Sequence, residues 1–147
     1  MSNSKPFVML IEDHRAVSKL FRTIEDTTER AAKTREQLFI EINTALDKHA
    51  EIEEMILYPA LEKQEKTRPL TLKSEQEHAV VKQLLSELAA EDQTAEEWTA
   101  KMKVLIENVE HHIEEEENEL FPKAEQALSE EELQSLENEL MNAKNQS

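Results

Sequence analysis

Apolar residues recur along this chain in four long blocks at three-and-four spacing, the period of a helix that buries one face. The first block carries Phe7, Leu10, Ile11, Val17, Phe21 and Ile24, with His14 in the same stripe. The second carries Leu38, Ile42, Ala45, Ile52 and Ile56, with His49 and Glu53 in line. Val81, Leu85 and Leu88 align with His78 in the third, and Trp98, Met102, Leu105, Val109 and Leu120 align with His112 and Glu116 in the fourth.

Capping-box spacings mark candidate helix starts at Thr34 with Gln37, Ser74 with Glu77, Thr94 with Glu97 and Ser129 with Glu132. Ser4 ahead of Lys5-Pro6 supplies another, because proline in a first turn loses no hydrogen bond. Together these predict five helices, over 5–32, 35–64, 72–91, 95–122 and 130–142. Short connections favour antiparallel neighbours, so the expected fold is all-α: an antiparallel four-helix bundle with a short extra C-terminal helix. At 147 residues this is expected to be a single domain, its core near 5–125 and the appended helix near 130–142.

The segment around Pro69 divides two similar halves. His14, in Glu-Asp-His, is matched 64 residues on by His78, in Gln-Glu-His. His49 to Pro59 is matched 63 residues on by His112 to Pro122, each with a glutamate four positions after the histidine and an aromatic-proline pair at nine and ten. Two helical-hairpin repeats are the economical reading. Pro59 and Pro122 each remove a backbone donor, so both copies should deviate one turn past the glutamate.

Composition narrows the chemistry. The chain has no glycine, which removes the Walker loop and the dinucleotide fingerprint along with the tightest hairpin turns. It has no cysteine, so disulfides, thiolate metal sites and cysteine nucleophiles are out and any metal must be held by nitrogen and oxygen. A net charge of -16 opposes nucleic acid and anionic lipid as partners. The apolar run Phe7 to Ile11 is too short for a signal or membrane segment, so a cytoplasmic location is expected.

His49 with Glu53 and His112 with Glu116 are i,i+4 pairs, each a two-ligand arm on one helix face. His14 and His78 share the buried stripes, which brings four imidazoles and two carboxylates inward from four helices. Two ionised glutamates in an apolar interior would be costly without positive charge, and two divalent ions supply it. Six nitrogen and oxygen ligands, with glutamates able to bridge, favour two iron or manganese ions and permit zinc. Protons compete for such imidazoles, so affinity should fall as pH drops through about 6. His111 lies about 100° round the helix from His112 and is read as boundary or solvent-facing. The acidic run Glu114 to Glu117 with Glu119, apart from Glu116, is read as a solvated face, and Trp98, Met102 and Phe121 as core.

His14, His49-Ala-Glu-Ile-Glu53, His78 and His112-Ile-Glu-Glu-Glu116, with their Tyr-Pro and Phe-Pro endings, make a pattern that resembles the hemerythrin-like, or HHE cation-binding, family over residues 7–125. The resemblance implies a non-haem di-iron centre bridged by Glu53 and Glu116, with His14, His49, His78 and His112 as terminal ligands. It implies binding or sensing of oxygen or a related small diatomic ligand, or a role in peroxide or nitric oxide stress or iron–sulfur repair. Two departures from oxygen-carrying members stand out. Lys82 occupies the place of their second third-helix histidine, and is read as snorkelling to solvent. Glu116, four after His112, with Glu117 at five, replaces their aspartate at five. The leading expectation is an oxygen or diatomic carrier or sensor; an enzyme or stress factor, and a helical module with a structural metal, are the rivals. A protein partner is left open, through the acidic surface or the helix at 130–142, and composition names none.

Overall fold

The computed structural model describes residues 5–146. A single turn over Lys5–Phe7 leads into α1, Val8–Glu25. Next come α2, Ala32–Ile52, and α3, Tyr58–Glu62, joined without a break by a widened turn over Glu53–Leu57. After α4, Arg68–Ala90, the pattern repeats: α5, Glu96–Glu115, runs through a widened turn over Glu116–Leu120 into α6, Phe121–Ala127. The chain ends with α7, Glu130–Asn145. Helices α1 and α2 pack as one hairpin and α4 and α5 as the other, giving the expected four-helix bundle with an added C-terminal helix. Among the described residues there is no strand, and no helix is long and apolar enough to cross a membrane.

Helix starts depart from the capping reading. Of the four boxes read from the sequence, all among the described residues, only Ser129 with Glu132 is reciprocal. Thr34 lies inside α2, and Ser74 lies buried inside α4, which begins six residues earlier with Pro69 in its first turn. Thr94 instead closes a turn on Asp92, through both its N–H and its hydroxyl. In so glutamate-rich a chain the spacing recurs within helices, where the hydroxyl has no orphan donor to accept. Ser4 lies outside the described residues. α1 stops at Glu25, not at 32, because the Thr27 hydroxyl bonds the Ile24 carbonyl and ends the ladder.

Two apolar layers fill the bundle. One gathers Phe21, Ile42, Leu88, Trp98 and Leu105 near the α2 start; the other gathers Phe7, Leu10, Leu57, Leu61 and Phe121 and is closed by Leu136 and Leu140 of α7. Arg35 staples the first end. It is 4% exposed and donates to Thr27, Gln93 and Thr99 while its guanidinium lies 5.3 Å from the Trp98 ring. Trp98 and Met102 are core, as expected. The histidine–glutamate level lies between the layers.

Candidate metal centre

The two widened turns set the glutamates. Glu53 and Glu116 each begin one, and the N–H groups of Tyr58 and Phe121, five residues on, bond back to the glutamate carbonyls. The expected deviation is present and begins at the glutamate itself. Pro59 and Pro122 follow directly. Each lacks an N–H, and its ring would clash with the carbonyl four residues back, so widening the turn relieves both problems while the helix continues.

This geometry gathers all six residues predicted as ligands. Glu53 Oε2 lies 3.2 Å from His49 Nε2, and its Oε1 lies 3.1 Å from His78 Nε2. Glu116 mirrors it, with Oε1 3.3 Å from His14 Nε2 and Oε2 3.2 Å from His112 Nε2. Each carboxylate therefore divides its oxygens between two groups: His14, His49, Glu53 and Glu116, and Glu53, His78, His112 and Glu116. Within each group the ligand atoms lie within 4.8 Å of one another. Both glutamates are fully buried.

A pair of metal ions fits this donor set. His14 Nε2, His49 Nε2, Glu53 Oε2 and Glu116 Oε1 are all buried and lack a hydrogen-bond partner, and they are the four atoms that converge in the first group. Buried polar atoms are nearly always satisfied, so four orphans aimed at one point call for a cation. In the second group the inward atoms meet the Tyr58 hydroxyl, which lies 2.5 Å from Glu116 Oε2 and 3.1 Å from both Glu53 Oε1 and His78 Nε2. Burial and the two carboxylates push this phenol well above its ordinary pKa, so it keeps its proton as a hydrogen-bond donor. Phe121, at the same repeat position, has no hydroxyl; its ring stacks on His14 and on Phe7.

Outward, the imidazoles form a closed ring. Asp13 of α1 accepts from His49 Nδ1 at 3.0 Å, Glu54 after α2 from His78 at 2.7 Å, Glu77 of α4 from His112 at 2.7 Å, and Glu117 after α5 from His14 at 2.7 Å. Each carboxylate neighbours one ligand in sequence and grips the histidine of another helix. Such bonds fix the tautomer that leaves Nε2 facing inward, free to take a metal. Three of the four are themselves held by a cation: Glu117 by Arg15, Glu54 by Lys82 and Asp13 by Lys144. Burial works to raise Asp13, Glu54, Glu77 and Glu117, but their imidazole and basic partners prevail and hold all four below ordinary carboxylate values.

The metal-free chain balances its buried negative charge with protons. Burial opposes a charged His49, yet Glu53 and Asp13 push it up to about 10. His78 and His112 are raised against burial in the same way, and Glu53 is held well below its ordinary value by His49, His112 and His78.

His111 is exposed and stands apart from the six, grouped instead with Glu77 and Glu115. Lys82 points outward to Glu54, half exposed, as expected. Glu117 corrects the reading of the acidic run: it is bonded to His14 rather than freely solvated, because the widened turn rotates it toward α1. Tyr58, Asp13, Glu54 and Glu77 were also missed as parts of the site. Their signal was the repeat itself, which places an acid before His14 and His78, after Glu53 and Glu116, and an aromatic before each proline.

A cavity of about 50 Å³ adjoins the histidines, walled by Val17, Ala45, Val81, Leu85, Val109 and Ile113.

Comparison with known proteins agrees with this architecture. The chain is 29% identical over 125 residues to an uncharacterised hemerythrin-like protein of Schizosaccharomyces pombe, a match covering 84% of this chain and 61% of that one, so the chain spans about three fifths of that relative's length. It superposes with a TM-score of 0.82 and 26% identity on the crystal structure of a hemerythrin HHE cation-binding domain-containing protein from Mycobacterium kansasii, covering 99% of this chain and 87% of that one. The family model for the hemerythrin HHE cation-binding domain matches residues 5–124, and with its histidine and glutamate groups placed to hold a metal this chain belongs to that family.

Proposed function

We propose that His14, His49, Glu53, His78, His112 and Glu116 hold two iron ions, and that the protein binds dioxygen or a related small diatomic ligand as a carrier or sensor. The observation that carries this reading is the cavity beside the imidazoles. At about 50 Å³ and with aliphatic walls, it suits a small neutral molecule and is far below the roughly 300 Å³ or more of an organic substrate pocket. Iron held there would supply the electrons that dioxygen needs in order to bind. The residues would do the rest: the carboxylates would serve both positions, the outer acids orient the imidazoles, and the aliphatic side chains favour a small neutral ligand over an ion. With Lys82 where a further histidine would stand, one position keeps a place open for exchange.

The rival reading, turnover of peroxide or nitric oxide, is favoured by Tyr58. A buried phenol that retains its proton beside Glu116 is a proton donor at the site. One set of measurements separates the two. Iron-loaded protein should develop an oxygen-dependent absorption that inert gas reverses, and Ala45→Leu, which fills the cavity, should abolish it without changing the metal content. No oxygen-dependent change, together with catalytic loss of peroxide that disappears in Glu116→Ala, would transfer the assignment to the rival.

A further inference from the structure

Helix α7 lies beyond the matched family region, which ends at residue 124, and its apolar side is spent on the end of the bundle, where Leu136 and Leu140 are buried. One of its residues nevertheless reaches the site. Lys144 Nζ donates to Asp13 Oδ1 at 2.6 Å, and Asp13 turns its other oxygen to His49 Nδ1 at 3.0 Å. The chain of contacts runs from the last helix to an inward-facing imidazole in two hydrogen bonds.

His49 is the ligand that most needs such support. Its side chain is 12% exposed against 2% for His14 in the same group, and Asp13 itself is 15% exposed. The Asp13 oxygen that does not face His49 is the one Lys144 holds. The basic partners of the other outer acids, Arg15 and Lys82, come from the bundle's own helices. Lys144 is the one, among the described residues, that comes from outside it.

We infer that Lys144 is a positioning residue for the first metal position: it holds Asp13 in the rotamer that orients His49, which makes α7 a working part of the site rather than an added prop. This rests on the reading of the six residues as metal ligands. By linkage the effect is reciprocal, so a metal ion at His49 in turn favours the docked α7.

The test uses the full chain, stripped of metal and titrated with cobalt(II), whose visible bands report its ligand field. Wild type, Lys144→Met, Lys144→Arg and a distant surface control, Lys66→Met, are compared. All four should bind two ions and, since an exposed ion pair adds little to stability, melt at nearly the same temperature. Lys144→Met should shift the visible bands and speed release of one of the two ions to excess chelator by about threefold to tenfold, below the roughly 10–100-fold of a direct outer partner because Lys144 acts through Asp13. Lys144→Arg should restore both properties, and Lys66→Met should match wild type. Unchanged bands and release in Lys144→Met would overturn the inference while leaving the metal site standing, as would equal acceleration of both ions. Failure of wild type to take up cobalt would bring down both.

Discussion

Tyr58 reaches across the bundle to place its hydroxyl 2.5 Å from the Glu116 carboxylate, joining the first helical hairpin to the second at the level of the histidines. The phenol stands where the inward atoms of His78, His112, Glu53 and Glu116 meet. Tyr58→Phe keeps the ring's packing and strands these groups. The metal-free variant should lose about 1–3 kcal/mol of stability, the cost of buried groups left unpartnered. Zinc-loaded protein should lose less, because the ion replaces the missing partner. Thermal melts with and without zinc compare the two.

The shared carboxylates predict an asymmetry between substitutions. Because each glutamate divides its oxygens between the two groups, Glu53→Ala should deplete both positions. His49→Ala touches one group only and should leave about one ion per chain, since a group keeping its full donor set still binds. Metal-to-chain ratios by mass spectrometry on iron-loaded protein decide it, and equal loss in the two variants contradicts the shared geometry.

Metal uptake should release protons at pH 7. In the metal-free chain His49 is pushed up to about 10, with His78 and His112 also raised, so these imidazoles must shed protons before they can bind. Proton competition therefore begins above the window near 6 expected of free imidazoles, and affinity should climb steadily through neutral pH. Calorimetric titrations with zinc in buffers of different ionisation enthalpy count the protons. The same shift has a stability consequence of opposite slope. A group whose folded pKa lies above its unfolded value stabilises fully below the unfolded value, about 6.5, and that contribution is lost as pH rises through about 10. Metal-free protein should melt progressively lower toward pH 10, and metal-loaded protein should not.

A second pH effect sits away from the centre. Glu75 shares a hydrogen bond with Glu62 and is pushed up to about 7 by that bond, by burial and by the neighbouring charge. Its contribution to stability is present below about 4.5 and is lost as pH rises through about 7. Glu75→Gln, fixed in the uncharged form, should melt with wild type at pH 4 and about 1–3 °C higher at pH 8, a small effect because the pair is only partly buried and water screens it.

The helical period, the repeat and the buried stripes were enough to read the bundle and to single out His14, His49, Glu53, His78, His112 and Glu116, because i,i+4 spacing fixes which side chains share a face whatever the helix packs against. Helix starts were less legible. Thr34 and Ser74 have the local spacing of a cap, but where a helix begins depends on which backbone donors its neighbours leave unsatisfied.

By itself, then, the sequence determined a helical bundle without glycine-built or thiolate chemistry, and a set of inward nitrogen and oxygen donors, since those follow from composition and from local periodicity. Only the tertiary structure decided that Glu53 and Glu116 each divide their oxygens between two groups, and that Tyr58 enters one of them. It alone closed the outer acids and imidazoles into a ring and attached Lys144 of α7 to it at Asp13. The reason is physical: these contacts join residues on different helices, and their geometry comes from how helices cross and where a proline widens a turn, which no spacing along one chain segment encodes.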